Sequence, residues 1–199
     1  MNKKAGLILI ALTLSLFSFA QADLPSKAED ISPLLIGESF PDTPIKNLDG
    51  DEVAISDFLK EQPAVIVFYR GGWCPYCTKH LSALGQAEQE ILDLGVKIIA
   101  ISPDSGEKLK ETLDQNELPY ELLSDSNGDL AKAVGIAFQA PERYLPRLSK
   151  YSDGGNTGYL PVPSVFILNQ QGEILFEYIS PNYKQRISKE LLLATLKAL

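Results

Sequence analysis

The run Ala64-Val65-Ile66-Val67-Phe68-Tyr69, followed by Arg70-Gly71-Gly72-Trp73 and then Cys74-Pro75-Tyr76-Cys77, constrains this chain more than any other segment. Six consecutive apolar residues, β-branched and aromatic, leave no polar face, so the run predicts a strand buried on both sides. Two glycines end it. Pro75 suits the first position of a helix, where its missing N–H is no loss. Leu81, Leu84, Ile91 and Leu92 then recur on one helical face from about Pro75 to Leu94, and Gly95 supplies the stop. Val96 to Ile101 predicts a second buried strand, and Ser105 to Asn116 a polar helix with Ser105 as its cap. Strand, helix, strand, helix is the order of an α/β layered sheet with parallel central strands.

The remaining chain fits around that unit as one domain, residues 23–199. Residues 23–43 read as an irregular lead-in, because Pro25, Pro33 and Pro41 block long regular elements. Leu48-Asp49-Gly50-Asp51 marks the turn of a short hairpin. Glu121 to Ser124 predicts a strand, Asp129 to Val134 a short helix, and Pro141 to Thr157 an irregular insertion. Ser164 to Leu168, a turn at Asn169-Gln170-Gln171-Gly172 and Glu173 to Ile179 predict an antiparallel hairpin. An amphipathic helix from about Ser188 to Leu199 is expected to cover one sheet face.

The chain has two cysteines, spaced C-x-x-C. A bridge between them closes a very short loop and removes little unfolded-state entropy, so it makes a poor staple. Chemistry explains the pair better. Cys74 is expected at the helix cap, where free backbone N–H groups and the helix dipole favour a thiolate. Cys77, one turn further, is expected to be more buried and to keep its proton longer. The pair then divides into an attacking sulfur, Cys74, which forms a mixed disulfide, and a resolving sulfur, Cys77. This points to a thiol-disulfide oxidoreductase that needs no cofactor and no metal.

Residues 1–22 carry Lys3 and Lys4, an apolar stretch from Leu7 to Ala20 and the exit Ala20-Gln21-Ala22, the three parts of a secretory signal. The apolar stretch is shorter than the roughly 18 residues that span a bilayer. The expectation is an exported protein, periplasmic or extracellular, with no stable membrane insertion after cleavage. Formal charge is −8 for the whole chain, and loss of the two lysines makes it more negative. Nucleic acid is therefore not an expected partner, since phosphate recognition needs positive charge.

The segment Phe68-Tyr69-Arg70-Gly71-Gly72-Trp73-Cys74-Pro75-Tyr76-Cys77, with Val162-Pro163-Ser164 ahead of a later strand, resembles the thioredoxin superfamily. The similarity is to its peroxiredoxin-like branch, the alkyl hydroperoxide reductase and thiol-specific antioxidant group, over about residues 37–199. The resemblance implies a thioredoxin-like fold with a central mixed sheet flanked by helices, and an antioxidant role. It implies a cis proline at Pro163 that shapes a substrate groove together with Val162, Trp73 and Arg70. It also implies a second reading, a thioredoxin-dependent peroxidase in which Cys77 attacks peroxide and Cys74 resolves. Expected substrates are protein disulfides or peroxides, and the expected electron donor is a thioredoxin-like or membrane dithiol.

Peroxiredoxins proper carry a proline seven residues before the peroxide-attacking cysteine and a Thr or Ser three before it. Counted back from Cys77, those positions hold Arg70 and Cys74. The arginine that such proteins place near the later strand is missing from Ser164 to Leu168, and Arg143, Arg147 and Arg186 are expected elsewhere. The buried aspartate of thioredoxins, six residues before the first cysteine, is replaced by Phe68. His80, the single histidine, is expected to face solvent, and Asp104 to sit in a surface turn. A third reading is a non-catalytic metal-binding module, although the ligands of C-x-x-C-x-x-H on one helix cannot by themselves surround zinc.

Overall fold

A computed structural model describes residues 23–199; the predicted leader, residues 1–22, lies outside the described residues. The predicted buried strand is β3 in chain order, after the hairpin β1 (Ile45–Lys46) and β2 (Glu52–Val53) and the short helix α1 (Ile55–Leu59). β3 (Ala64–Phe68) is buried at every residue. It pairs in parallel with β4 (Lys97–Ser102), which pairs in parallel with β5 (Glu121–Ser124). β8 (Ser164–Leu168) runs antiparallel to β3 and is followed by its hairpin partner β9 (Ile174–Ile179). The seven-stranded sheet has the order β2-β1-β5-β4-β3-β8-β9, a mixed sheet with β3 near its centre.

Alternation along the central strands sorts side chains to two cores. Val65, Val67, Ile98, Ala100, Val165 and Ile167 face one core, with Leu81, Leu84, Ile91, Leu109 and Leu192. Ala64, Ile66, Phe68, Ile99, Ile101, Phe166 and Leu168 face the other, with Ile55, Leu59 and Leu130. The helices follow as α2 (Pro75–Gly85), α3 (Glu88–Asp93), α4 (Gly106–Asn116), α5 (Asp129–Ala133), α6 (Leu145–Tyr151) and α7 (Lys189–Leu196). Helices on both faces of the sheet leave the carboxyl ends of β3, β4 and β5 as the place where loops can carry reactive groups. Among the described residues no helix is long and apolar enough to cross a membrane.

Four sequence expectations change. The single helix from Pro75 to Leu94 is two helices, α2 and α3. The break follows Gly85, a poor helix former that admits Pro119 closely: a Cβ there would stand 3.2 Å from Pro119 Cδ. Leu92 is correspondingly turned outward, whereas Gly95 ends α3 as expected. Its N–H bonds Leu92 O and that of Val96 bonds Ile91 O, a Schellman closure with Gly95 at φ +75°.

Ser105 caps α4 by backbone position only, because its hydroxyl makes no capping bond. The insertion is not irregular: it holds a 3-10 turn (Glu142–Tyr144) and α6. It is framed by the ribbon β6 (Ala137–Gln139) and β7 (Tyr159–Pro161), which the sequence pattern missed. α6 buries Leu148 alone, so it offers no apolar period to read. It is tied down instead by the Ser105 N–H, which bonds Tyr151 O at 2.7 Å.

Finally, no peptide bond among the described residues is cis, so Val162–Pro163 is trans, against expectation. Val162 N–H bonds Ile136 O on one side, and Pro163 O accepts Ser180 N–H on the other. An extended link between the ribbon and the main sheet meets both bonds, and trans is also the intrinsic preference before proline.

Candidate active site

The pairing of β3 with β4 runs one residue past its named end, since Tyr69 N–H bonds Ile101 O at 3.0 Å. The chain then leaves the sheet through Gly71, at φ +134°, and turns so that Cys74 N–H meets Gly71 O. Both glycines are required by close approach. A Cβ on Gly71 would lie 2.3 Å from Trp73 Nε1 and 2.7 Å from Asp104 Oδ1, and one on Gly72 would lie 2.0 Å from Thr112 Oγ1. Cys74 is the cap of α2 in extended conformation, Pro75 follows in the first turn, and Cys74 O accepts the N–H groups of Cys77 and Thr78.

Both cysteines are reduced and buried. The Cys74 thiol is brought down to about 6, first by the hydrogen bond from the Cys77 thiol, against the effect of burial. The Cys77 backbone N–H and the charges of Arg70 and Arg186 add to the lowering. Cys77 moves well above its ordinary value, because it is buried and keeps its proton in a hydrogen bond donated to the Cys74 sulfur. At neutral pH the pair holds one negative charge between two sulfurs.

The segment between β9 and α7 returns over the pair. Arg186 Nη2 donates to Cys77 Sγ at 3.3 Å, and its Nη1 donates to the backbone oxygens of Tyr183 and Gln185. Arg186 lies outside Ser164 to Leu168, as expected, yet the fold carries it to the cysteine pair. No local motif could have signalled it, for the two residues are 109 apart in sequence. Tyr183 stacks on Arg70, with Cζ 4.4 Å from the ring centre, and stands edge-on to Tyr76 at 5.8 Å.

Asp104 is likewise misplaced by the sequence reading. It is buried beside the cysteine loop, and Oδ2 accepts Gly72 N–H at 2.7 Å while Oδ1 has no partner. Burial raises its carboxyl to about 7, against the lowering effect of the Gly72 N–H. His80 is buried rather than solvated, because it lies one turn beyond Cys77 on the inner face of α2. Burial and then Arg186 take its imidazole down to about 4, so it is neutral near pH 7. Among the described residues no three His, Cys, Asp or Glu side chains converge as metal ligands.

Of the expected groove residues, Arg70 and Pro163 line one pocket of about 250 Å³. Trp73 stacks beside it on Arg70, 5.1 Å from Cζ to ring centre. Val162 is fully buried and absent from the pocket lining. The sheet register explains the placement. Phe68 pairs with Ser164, so Pro163 stands one step beyond the ladder, across from the strand that leads to Arg70.

A family model described as AhpC/TSA family matches residues 36–176. The chain belongs to the AhpC/TSA family. It is a thiol-based oxidoreductase of the peroxiredoxin-like, thioredoxin-fold kind. It is similar to putative peroxiredoxin bcp of Haemophilus influenzae, 31% identical over 53% of this chain and 68% of that one. It is also similar to peroxiredoxin Bcp of Bacillus subtilis, 26% identical over 78% and 92% of the two chains. The crystal structure of peroxidoxin BcpB from Mycobacterium tuberculosis superposes with a TM-score of 0.66 at 22% identity, covering 82% of this chain and 97% of that one. That likeness establishes the fold. Arg70 and Cys74, the residues seven and three before Cys77, are both built into the site.

Proposed function

We propose that the protein is a thiol-dependent peroxidase of the peroxiredoxin type, in which Cys77 attacks the peroxide and Cys74 resolves. The observation that carries this reading is the Arg186 guanidinium on Cys77 Sγ, within a chain matched by the AhpC/TSA model. The favoured arrangement of the pair puts the charge on Cys74. Attack by Cys77 uses the other arrangement, in which the shared proton has moved along the S–H···S bond to Cys74, and Arg186 is placed to stabilise it.

The Cys77 thiolate attacks the terminal peroxide oxygen and the O–O bond breaks, giving a sulfenic acid and an alkoxide or hydroxide, which leaves as alcohol or water with the proton held on Cys74. The Cys74 sulfur then displaces hydroxide as water and closes the disulfide. Two thiols and ROOH become one disulfide, ROH and water. A dithiol donor, thioredoxin-like or membrane-held, returns two electrons and two protons by exchange. The protein works outside the cytoplasm, a reading supported by the signal-like pattern of residues 1–22.

A second reading, disulfide exchange with Cys74 as nucleophile, is favoured by the low thiol value of Cys74 at the helix cap. One pair of variants separates them. Peroxide consumption with a dithiol donor is expected to vanish in Cys77→Ser, while Cys74→Ser keeps a single turnover and loses recycling. Normal peroxide turnover in Cys77→Ser, with insulin-disulfide reduction lost in Cys74→Ser, would replace the peroxidase with the exchange enzyme.

A further inference from the structure

The chain has 26 acidic residues and only four arginines, Arg70, Arg143, Arg147 and Arg186. All four gather around the site. Among the described residues none of them forms an ion pair with a carboxylate; the ion pairs present all use lysines. In a chain with this excess of acid, unpaired arginines clustered at one place leave a local charge that lacks its counterpart.

Arg70 is the sharpest case. It is 4% exposed and held among three rings, Trp73, Tyr144 and Tyr183, at 5.1, 4.7 and 4.4 Å. Ring faces attract a cation but accept few of the five N–H groups a guanidinium carries. The Tyr144 hydroxyl is a neighbouring acceptor, and its hydrogen bond with Arg70 is the first cause that takes that phenol below its ordinary value, with Arg143 adding to it; no carboxylate pairs with the guanidinium. A buried guanidinium calls for an acceptor. The pocket it lines is otherwise mainly apolar, walled by Phe138, Leu160 and Pro163, with Arg143 at its rim. The exposed Lys27 and Glu29 also border it and offset one another.

We infer that this pocket is an anion subsite for a small amphipathic carboxylate: the carboxylate on Arg70 and Arg143, the apolar body against Phe138, Leu160 and Pro163. Position ties it to the reaction, because Arg70 leads directly into the cysteine loop and its charge acts on Cys74. The preferred substrate is then a hydroperoxide bearing a carboxylate, reduced to the hydroxy acid and water as the two thiols become a disulfide. This last step rests on the peroxidase reading; the subsite itself does not. Where peroxiredoxins proper hold a proline, this chain holds the arginine that makes the subsite.

Two measurements test it on the full protein. First, Trp73 is the single tryptophan and touches Arg70, so its fluorescence reports occupancy. Hexanoate is expected to change it saturably and hexanamide not, and the response is expected to disappear in Arg70→Gln and weaken in the exposed-site variant Arg143→Gln. Second, kcat/KM for ω-hydroperoxyhexanoate is expected to exceed that for its methyl ester by about tenfold or more, the worth of one charge-assisted hydrogen bond. The ratio should fall toward one in Arg143→Gln and persist in Arg147→Gln, since Arg147 lies over Trp73 outside the pocket. Equal turnover of acid and ester, with hydrogen peroxide still reduced, overturns the substrate assignment. Absence of any saturable hexanoate response overturns the subsite. Failure to reduce any peroxide, hydrogen peroxide included, sinks the peroxidase reading instead and leaves the hexanoate titration to decide the subsite.

Discussion

Two buried aspartates stand at the carboxyl ends of neighbouring parallel strands, Asp104 after β4 and Asp125 after β5, and their surroundings differ in kind. Asp125 is complete. Its Oδ1 accepts Leu130 N–H at 3.1 Å, its Oδ2 accepts Ala131 N–H at 2.8 Å, and its backbone oxygen accepts the Tyr159 hydroxyl. Those amides are free donors of the first turn of α5, so the carboxylate serves a structural end. Asp104 is half complete, with one oxygen on Gly72 N–H and the other without a partner. A filled shell fixes a fold. A half-filled one beside the loop that leads to Cys74 leaves a group whose protonation the protein can change.

The largest test of this contrast is pH. Burial raises Asp104 to about 7 and Asp125 to about 6. A carboxyl raised in the folded state binds its proton there and not in the unfolded chain. Its stabilisation is therefore full below the unfolded pKa and lost as pH climbs through the folded one. For Asp104 the loss spans about pH 4 to 7 and is on the order of 4 kcal/mol as an upper figure. Cys74 and His80 work in the opposite sense, so the quantity to measure is the stability of wild type minus Asp104→Asn across that window. A flat difference would show that Asp104 is ionised in the fold like a surface acid.

Next comes Asp125→Ala, which leaves two buried amides unsatisfied and is expected to lose about 3 kcal/mol in urea unfolding. A loss below about 1 kcal/mol would remove the claim that its shell is structural. Gly72→Ala is smaller, about 2 kcal/mol, because Thr112 must give way to the added methyl and is itself bonded to Lys108 O. The same variant is expected to slow alkylation of Cys74, since the loop moves off Asp104; unchanged alkylation would break the link between that carboxyl and the cysteine. The smallest effect is Tyr159→Phe, about 1 kcal/mol for one hydrogen bond, with no change in thiol reactivity.

The same contrast separates what could be read from what could not. β3, α4, β5, the β8–β9 hairpin, the Gly95 stop and the placement of Cys74 and Cys77 on the first turn of α2 were all legible. Each rests on residues a few positions apart: alternation for strands, three-and-four spacing for helices, proline and glycine at the ends. Asp125 and Asp104 look alike in such a reading, as a polar residue after an apolar strand. So do exposed and buried histidines, because His80 needs the packed face of α2 to reveal that it is covered.

By itself, then, the sequence determined the strand-turn-helix that presents two sulfurs at the carboxyl end of a buried central strand. Steric and hydrogen-bonding preferences act over single turns and need no distant partner. The tertiary structure alone decided which charges meet those sulfurs. Arg186 reaches Cys77 across 109 residues, and Asp104 reaches Gly72 across 32, through the packing of the α7 lead-in and the adjacency of β3 and β4. Coulomb energy depends on distance in space and on exclusion of water, and neither is written in the order of residues along the chain.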